Sequence, residues 1–301
     1  MENKFKSGYI GIVGKPNVGK STILNKLVGQ KIAIISPKPQ TTRNKILGIL
    51  HGDGYQAVFL DTPGFHKPKT KLGENMVKAV NETIGDVDLV MLVAEPDTEV
   101  SAAEEAIISK IGDIPAILVI NKTDTVKKDE LLSVISMYSS LHNFCDIVPV
   151  SARTGENLDE LKNVICANLE EGPMYYPEDM VTDQQEKEIV AEIIREKMLK
   201  TLREEIPHGT CVEIVKMKYE QKENGDIYKI SANIFCEKNS HKGIIIGQGG
   251  KTLKQIGTLA REDCERMLDA KVYLELWVKV KEDWRNSNNL MRELGIINNE
   301  Q

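Results

Sequence analysis

The residues Gly14-Lys15-Pro16-Asn17-Val18-Gly19-Lys20-Ser21 follow directly on an apolar run at 9–13 and satisfy the pattern G-x-x-x-x-G-K-[ST]. The pattern demands a buried strand, a glycine-rich turn and then a helix, and residues 22–28 are compatible with that helix. In such a turn the backbone N–H groups wrap phosphates and the helix aims its positive end at them. Lys20 is expected to reach the outer phosphates and Ser21 to offer its hydroxyl to Mg²⁺, with Gly14, Asn17, Val18, Gly19 and Thr22 contacting the same nucleotide.

Further apolar runs of strand length lie at 56–60, 89–93, 116–120 and 147–150, most of them separated by helix-compatible stretches. Continuous apolar strands alternating with helices predict an α/β fold with a mostly parallel sheet, whose ligands lie at the carboxyl ends of the strands. The remaining motifs fall there. Asp61-Thr62-Pro63-Gly64 is a D-x-x-G in which the carboxylate can hold a Mg²⁺-bound water and the Gly64 amide can approach a γ-phosphate. Asn121-Lys122-Thr123-Asp124 discriminates bases: an ionised Asp124 only accepts, so it receives N1–H and N2–H₂ of guanine, a donor pair that adenine lacks. Asn121 is suited to bracing loop and base, and the stem of Lys122 can lie along the base. Ser151-Ala152-Arg153 closes the series, with the Ala152 amide expected to donate to guanine O6. The ligand is thus GTP or GDP with Mg²⁺, and an adenine-directed kinase or ATPase is disfavoured.

Residues 35–43, rich in Pro and polar residues, predict a loop of the kind that switches on loss of a γ-phosphate. Thr42 is the expected Mg²⁺ ligand there and Thr41 the close alternative, so Lys20, Thr42, Asp61 and Gly64 form the expected catalytic set. Ras-type GTPases place a water-orienting glutamine after the D-x-x-G glycine. Here Phe65 and then His66 follow, which predicts slow intrinsic hydrolysis with help from a partner, a cation or a rearranged loop, or a scaffold that binds nucleotide without useful turnover.

At 301 residues the chain calls for two domains. The Gly/Pro spacing at 172–177 predicts a boundary: a nucleotide domain at 1–172, a linker at 173–182 and a second domain at 183–301. The second begins with an amphipathic helix at 185–205, capped by Asp183, followed by strands at 211–219 and 227–235 joined through Asn224-Gly225-Asp226. Gly247-Gln248-Gly249-Gly250 is then a G-x-x-G loop between two helices, with a helix at 253–268 and a strand at 272–280 after it. Alone the loop reads as a helix-turn-helix. In this element order it predicts an α+β KH module of the second topology, which clamps about four nucleotides. Lys242, Lys251 and Lys254 surround the loop with no acidic residue between them, a local basic patch that the net charge of −6 conceals. Five widely spaced cysteines without C-x-x-C suggest reduced thiols rather than disulfides or zinc. The polar start and the absence of a bilayer-length apolar run predict a cytoplasmic protein.

Taken together, Pro16-Asn17-Val18-Gly19-Lys20-Ser21-Thr22, Pro39-Gln40-Thr41-Thr42-Arg43, Asp61-Thr62-Pro63-Gly64-Phe65-His66-Lys67-Pro68, Glu204-Glu205-Ile206-Pro207-His208 and Leu274-x-Leu276-Trp277-Val278-Lys279-Val280 resemble the Era family of bacterial ribosome-assembly GTPases over nearly the whole chain. The resemblance implies GTP hydrolysis, binding of the 3′ region of small-subunit ribosomal RNA and of the 30S subunit or its precursor, and a role in small-subunit maturation. It also implies peripheral contact at the cytoplasmic membrane face. The chain is expected to be a monomer, and the G-x-x-G loop with its flanking lysines places the RNA on Lys242, Gly247, Gln248, Gly249, Gly250, Lys251 and Lys254. Gln248 stands where Era proteins often carry Lys, which removes one phosphate contact.

Overall fold

The structure, a computed structural model, describes residues 5–38, 40–65, 68, 70–203, 206–222, 225–293 and 296. The readings that involve Pro39, His66, Lys67, Glu204, Glu205 and Asn224 lie outside the described residues. The chain divides into two compact units, Met1–Lys69 with Gly73–Asp183, and Thr70–Leu72 with Gln184–Gln301.

The first unit is built on a six-stranded sheet of order β2-β3-β1-β4-β5-β6, formed by β1 (Lys6–Val13), β2 (Ile46–Gly52), β3 (Tyr55–Asp61), β4 (Leu89–Ala94), β5 (Ala116–Ile120) and β6 (Asp146–Pro149). All neighbours pair in parallel except β2, which runs antiparallel to β3 at the edge. The apolar runs are continuous because alternate side chains enter two different cores. On β4, Leu89, Met91 and Val93 join one cluster with Ile23 and Leu24 of α1 (Lys20–Val28) and Leu161 of α5 (Leu158–Asn168). Val90, Leu92 and Ala94 join the other, with residues of α2 (Lys71–Gly85), α3 (Ala102–Ile111) and α4 (Lys128–Ser139).

Edge strand β2 has no counterpart among the apolar runs read from the sequence. Its two glycines, Gly48 and Gly52, interrupt the run, and Gly48 is where Ile32 and Leu24 press against the strand. Residues 173–182, read as a linker, form a strap on this unit. Ile49 N–H donates to Val181 O (2.9 Å), Thr182 Oγ1 to Leu47 O (2.7 Å) and Gln56 Nε2 to Tyr176 O (2.8 Å).

The second unit packs α6 (Glu186–Thr201), α7 (Asn239–Ile246) and α8 (Lys251–Leu268) on one face of a sheet of order β7-β8-β9, with β7 (Thr210–Glu220), β8 (Ile227–Cys236) and β9 (Lys271–Val280). β7 and β8 form an antiparallel hairpin, whereas β8 and β9 pair in parallel across the α7–α8 crossover. The helix start differs from expectation. Gln185 is the N-cap of α6, forming a capping box with Glu188, and Asp183 precedes it. The last helix among the described residues is the short α9 (Asn288–Glu293), preceded by the fully buried Trp284.

Candidate functional site

The loops after β1, β3, β5 and β6 meet at the carboxyl ends of those strands and enclose a cavity of about 420 Å³. The phosphate loop, Thr42, Gly64, Asn121, Asp124 and Arg153 all line it. In the phosphate loop, Gly19 sits at φ 102°, and a Cβ there would overlap Asn121 Nδ2, so the turn needs glycine both for its backbone and for the close approach of the neighbouring loop. Thr22 lies in the first turn of α1 and lines the same cavity.

Three hydroxyl and carboxylate groups predicted from distant segments converge. Ser21 Oγ lies 2.9 Å from Thr42 Oγ1 and donates to Asp61 Oδ2 at 2.6 Å. Thr41 lines the same cavity, but its hydroxyl donates to Lys38 O at 2.6 Å within the loop. Asp61 is fully buried and its Oδ1 has no hydrogen-bond partner. Burial pushes its carboxyl up to about 6, against the pull of Lys20 and the Ser21 hydroxyl. Lys20 is buried as well, its Nζ donating to Gly14 O (3.1 Å) and Lys15 O (2.8 Å). Burial pushes this ammonium down to about 8, with Asp61 opposing. A buried carboxylate oxygen lacking a partner, two hydroxyls beside it and a buried ammonium held only by carbonyls fit a hard divalent cation with phosphate oxygens.

Phe65 does not face this group. Its N–H donates to Gly14 O (3.1 Å), its ring packs against the cluster around Val80 and Ile107, and Lys110 Nζ sits 4.7 Å from the ring centroid. Asn17, at φ 67°, ties the phosphate loop to the switch loop through Nδ2 and Pro37 O (2.8 Å).

The base-side motifs are cross-braced. Asn121 Nδ2 donates to Val18 O (2.8 Å), and Asn121 Oδ1 accepts from Ala152 N–H (3.0 Å). The Ala152 amide, expected to donate to guanine O6, donates here to Asn121 Oδ1, and Asn121 thereby joins the phosphate loop to the 151–153 loop. Asp124 accepts from Ser151 Oγ (2.5 Å) and pairs with Arg153 Nη2 (2.6 Å). The Ser151 hydrogen bond and the Arg153 charge hold its carboxyl below the usual range. Lys122, at φ 64°, pairs with Glu95, a residue the motifs do not include.

A second unanticipated element supports the phosphate loop from behind. Lys15 Nζ reaches Asp97 (3.0 Å) and Glu104 (3.2 Å). Burial works against the Lys15 charge, yet these two carboxylates carry its pKa above the ordinary lysine value. Glu104 is fully buried and accepts from Tyr138 Oη (2.8 Å), Ser101 Oγ (2.6 Å) and Ser101 N–H (2.9 Å). The S-x-x-E signature of Ser101 and Glu104 was legible as a capping box, but not its reach to Lys15. Glu104→Ala is expected to destabilise the protein by about 1–3 kcal/mol, because it strands the buried Tyr138 hydroxyl. Adding Tyr138→Phe should recover much of the loss. Urea unfolding of the single and double variants checks this, and equal losses in both would remove Tyr138 from the account.

In the second unit, α7 ends at Gly247 (φ 71°), and Gly249 (φ 59°) and Gly250 (φ 79°) turn the chain into α8 through conformations that favour glycine. Lys251 and Lys254 are exposed on the first turns of α8, Gln248 is exposed in the loop and Lys242 is half-buried on α7. A groove of about 390 Å³ runs from Gly250 and Lys254 past Gly257 to Arg261, with Leu274 and Leu276 of β9 opposite. The groove was not anticipated, since it is made by packing one helix face against one strand rather than by a motif.

A mostly parallel sheet with a phosphate loop, a buried Ser–Thr–Asp cluster and an N-K-x-D loop defines a phosphate-loop GTPase unit, here joined in one chain to a KH unit. The family model described as "50S ribosome-binding GTPase" matches residues 9–122, and that described as "KH domain" matches residues 205–285. A GTPase Era from Clostridium novyi (strain NT) is 52% identical over 293 residues, covering 97% of this chain and 99% of the relative. One from Clostridium beijerinckii is also 52% identical over 293 residues, with 97% of both chains covered. Among solved structures, an Aquifex aeolicus Era variant bound to GDP and AlF4⁻ superposes with a TM-score of 0.93 at 40% identity, covering 98% of this chain and all of that one. A second Era structure, in complex with MgGDPNP and nucleotides 1506–1542 of 16S ribosomal RNA, matches with the same values. The chain belongs to the Era family of GTP-hydrolysing GTPases.

Proposed function

We propose that this chain is a GTP-controlled switch that binds the 3′ region of small-subunit ribosomal RNA and assists maturation of the small subunit. The observation that carries this reading is the meeting of Thr42, from the switch loop, with Ser21 and Asp61 beside the unpartnered Asp61 Oδ1. In this reading Ser21, Thr42 and Asp61 hold Mg²⁺, Lys20 and the amides of residues 14 and 17–22 hold the phosphates, and Gly64 approaches the γ-phosphate. When bound, the ion would offset charge that develops on the phosphates as water cleaves GTP to GDP and phosphate. Loss of the γ-phosphate would release Thr42 and its loop. Asn121, Lys122, Asp124 and the 151–153 loop take the base. With the half-buried Phe65 ring packed against the core, the side chain after Gly64 offers the attacking water no polar group, so unstimulated turnover is slow.

RNA falls to the other half of the chain. Residues 1–172 act as the nucleotide domain, 173–182 as its strap and connection, and 183–301 as the RNA domain, with Lys242, the loop Gly247, Gln248, Gly249 and Gly250, and Lys251 and Lys254 as the clamp. The 50S description attaches to a model that covers only residues 9–122, whereas RNA choice in this reading resides in the KH unit, and the Era relative holds 16S nucleotides 1506–1542. The protein works as a cytoplasmic monomer on the 30S subunit or its precursor. Among the described residues no helix is long and apolar enough to cross a membrane, so its membrane contact in this reading is peripheral.

The test is fluorescence anisotropy of a labelled RNA matching nucleotides 1506–1542, with the protein in MgGDPNP and in MgGDP, together with GTP turnover with and without that RNA. Tighter binding in MgGDPNP and faster turnover with RNA are expected. Equal affinity in both states and unstimulated turnover would sever the switch from the RNA, and no binding in either state would remove the RNA reading.

A further inference from the structure

The helices cover one face of the second unit's sheet, and strand alternation sends the odd-numbered side chains of β8 and β9 to the other. Tyr273 and Trp277 stand on that other face, 53% and 62% exposed, on a strand at the edge of the sheet. Exposed rings on a free edge invite non-specific pairing, so their presence asks for an occupant. The register places Lys229 beside Tyr273, Lys279 beside Phe235, and Lys216 across from Ser231. Lysines outnumber glutamates on this face five to three, in a chain whose net charge is −6. The glutamate between the two rings, Glu275, already accepts from Tyr273 Oη (3.0 Å) and Ser231 Oγ (3.1 Å). Excess positive charge with exposed aromatic rings is the chemistry of single-stranded nucleic-acid platforms.

Position narrows the occupant further. The opposite face of the same strand carries Leu274 and Leu276, which line the groove that starts at Gly250. β9 therefore presents the groove on one side and the rings on the other, with only its free edge between them. A KH loop accounts for about four nucleotides, far fewer than the RNA segment proposed above.

We propose that Tyr273 and Trp277 form a second RNA contact, a stacking platform for unpaired bases of the same RNA strand after it passes from the groove over the free edge of β9. The proposal rests on the RNA-binding reading. Four residues along a strand span about 13 Å, against about 3.4 Å between stacked neighbours in a nucleic-acid helix. The two rings consequently take non-adjacent bases of an extended strand.

The protein contains its own reporter. Its tryptophans number two, and Trp284 is fully buried with Nε1 donating to Gly209 O (3.1 Å), so RNA-dependent change in tryptophan emission reports Trp277. The full chain in MgGDPNP is titrated with a short oligonucleotide of about five nucleotides, the size of the clamp, and with RNA matching nucleotides 1506–1542. The long RNA should quench Trp277 and shield it from acrylamide, and the short one should not. Tyr273→Ala with Trp277→Ala should lose about tenfold or more in affinity for the long RNA, keep its affinity for the short one and keep the salt dependence of both. Trp277→Phe should restore part of the loss. Retained short-RNA binding also shows that the variant is folded. If the long RNA binds wild type and the double-alanine variant equally with Trp277 unquenched, the platform is overturned and the RNA reading stands. If neither RNA binds, the RNA reading itself has failed. Quenching that follows protein concentration without RNA would make the face a contact between copies of the chain and likewise overturn the platform.

Discussion

Asp124→Asn should cost GTP affinity by about tenfold to more than a hundredfold, the loss expected for a hydrogen bond to a charged group, and should raise affinity for xanthosine triphosphate. The amide replaces one acceptor by a donor that faces the N–H edge of guanine, while the same donor suits the carbonyl of xanthine. The surroundings sharpen the expectation. Ser151 Oγ and Arg153 both favour the ionised carboxylate, so Asp124 is acceptor-only well below neutral pH. Arg153 nevertheless occupies Oδ2, and guanine must share that oxygen or displace the guanidinium. With its side chain 78% exposed, Arg153 is held mainly by this one pair and can yield. Arg153→Ala is therefore expected to leave GTP affinity within a few-fold of wild type, which separates base recognition from loss of the brace. Competition of GTP and xanthosine triphosphate against a fluorescent guanine nucleotide measures both variants. Unchanged GTP binding in Asp124→Asn would sink the assignment.

How much of this site was legible in the sequence follows from how local each feature is. Strand β4, six apolar residues in a row, reads as a strand buried on both faces, and the ligand-side loops after β1, β3 and β5 are short motifs whose chemistry resides in the residues themselves. The Ser21–Thr42–Asp61 convergence was legible as three motifs, but the choice between Thr41 and Thr42 was not. It depends on which hydroxyl the loop turns inward, and Thr41 spends its own on Lys38 O. The Ala152–Asn121 bond was not legible, because a backbone N–H carries no sequence signal and its acceptor lies 31 residues away. Glu104 behind Lys15, the strap at 173–182 and the groove against Leu274 and Leu276 are products of packing between distant segments, and no local pattern encodes them. In the KH unit the element order was legible from periodicity, while the cap of α6 moved from Asp183 to Gln185. There the reciprocal bond from Glu188 favours Gln185 over the better intrinsic capping residue.

Negative charge introduced into the loop between α7 and α8 should abolish RNA binding while leaving the nucleotide site intact. Gln248→Asp with Gly249→Asp sets two negative charges where Gly249 and Gly250 turn the chain into the N-terminus of an 18-residue helix. Both that helix end and Lys251 and Lys254 attract phosphate, so repulsion replaces attraction at the closest point of approach. The backbone adds a complication. Gly249 sits at φ 59°, where any residue with a Cβ is strained by roughly 1–2 kcal/mol. Space is not the problem, since a Cβ there meets no atom within 4 Å. Gly249→Asn is the control, because it carries a similar backbone cost without the charge, and Asp and Asn tolerate this region better than most residues. The double-Asp variant should therefore melt slightly earlier than wild type and about level with the Asn variant, and its GTP affinity should match both. Lys251→Ala should act differently, weakening RNA binding across sequences and flattening its salt dependence by about 0.7 of a unit of slope, as for one single-strand phosphate contact. RNA affinity over a salt series for wild type, the double-Asp variant and the Asn control decides the matter. Loss in the double-Asp variant with retention in the Asn control assigns the clamp to electrostatics at this loop. Equal loss in both would assign it to loop shape, and superimposable curves for all three would place the RNA on another surface.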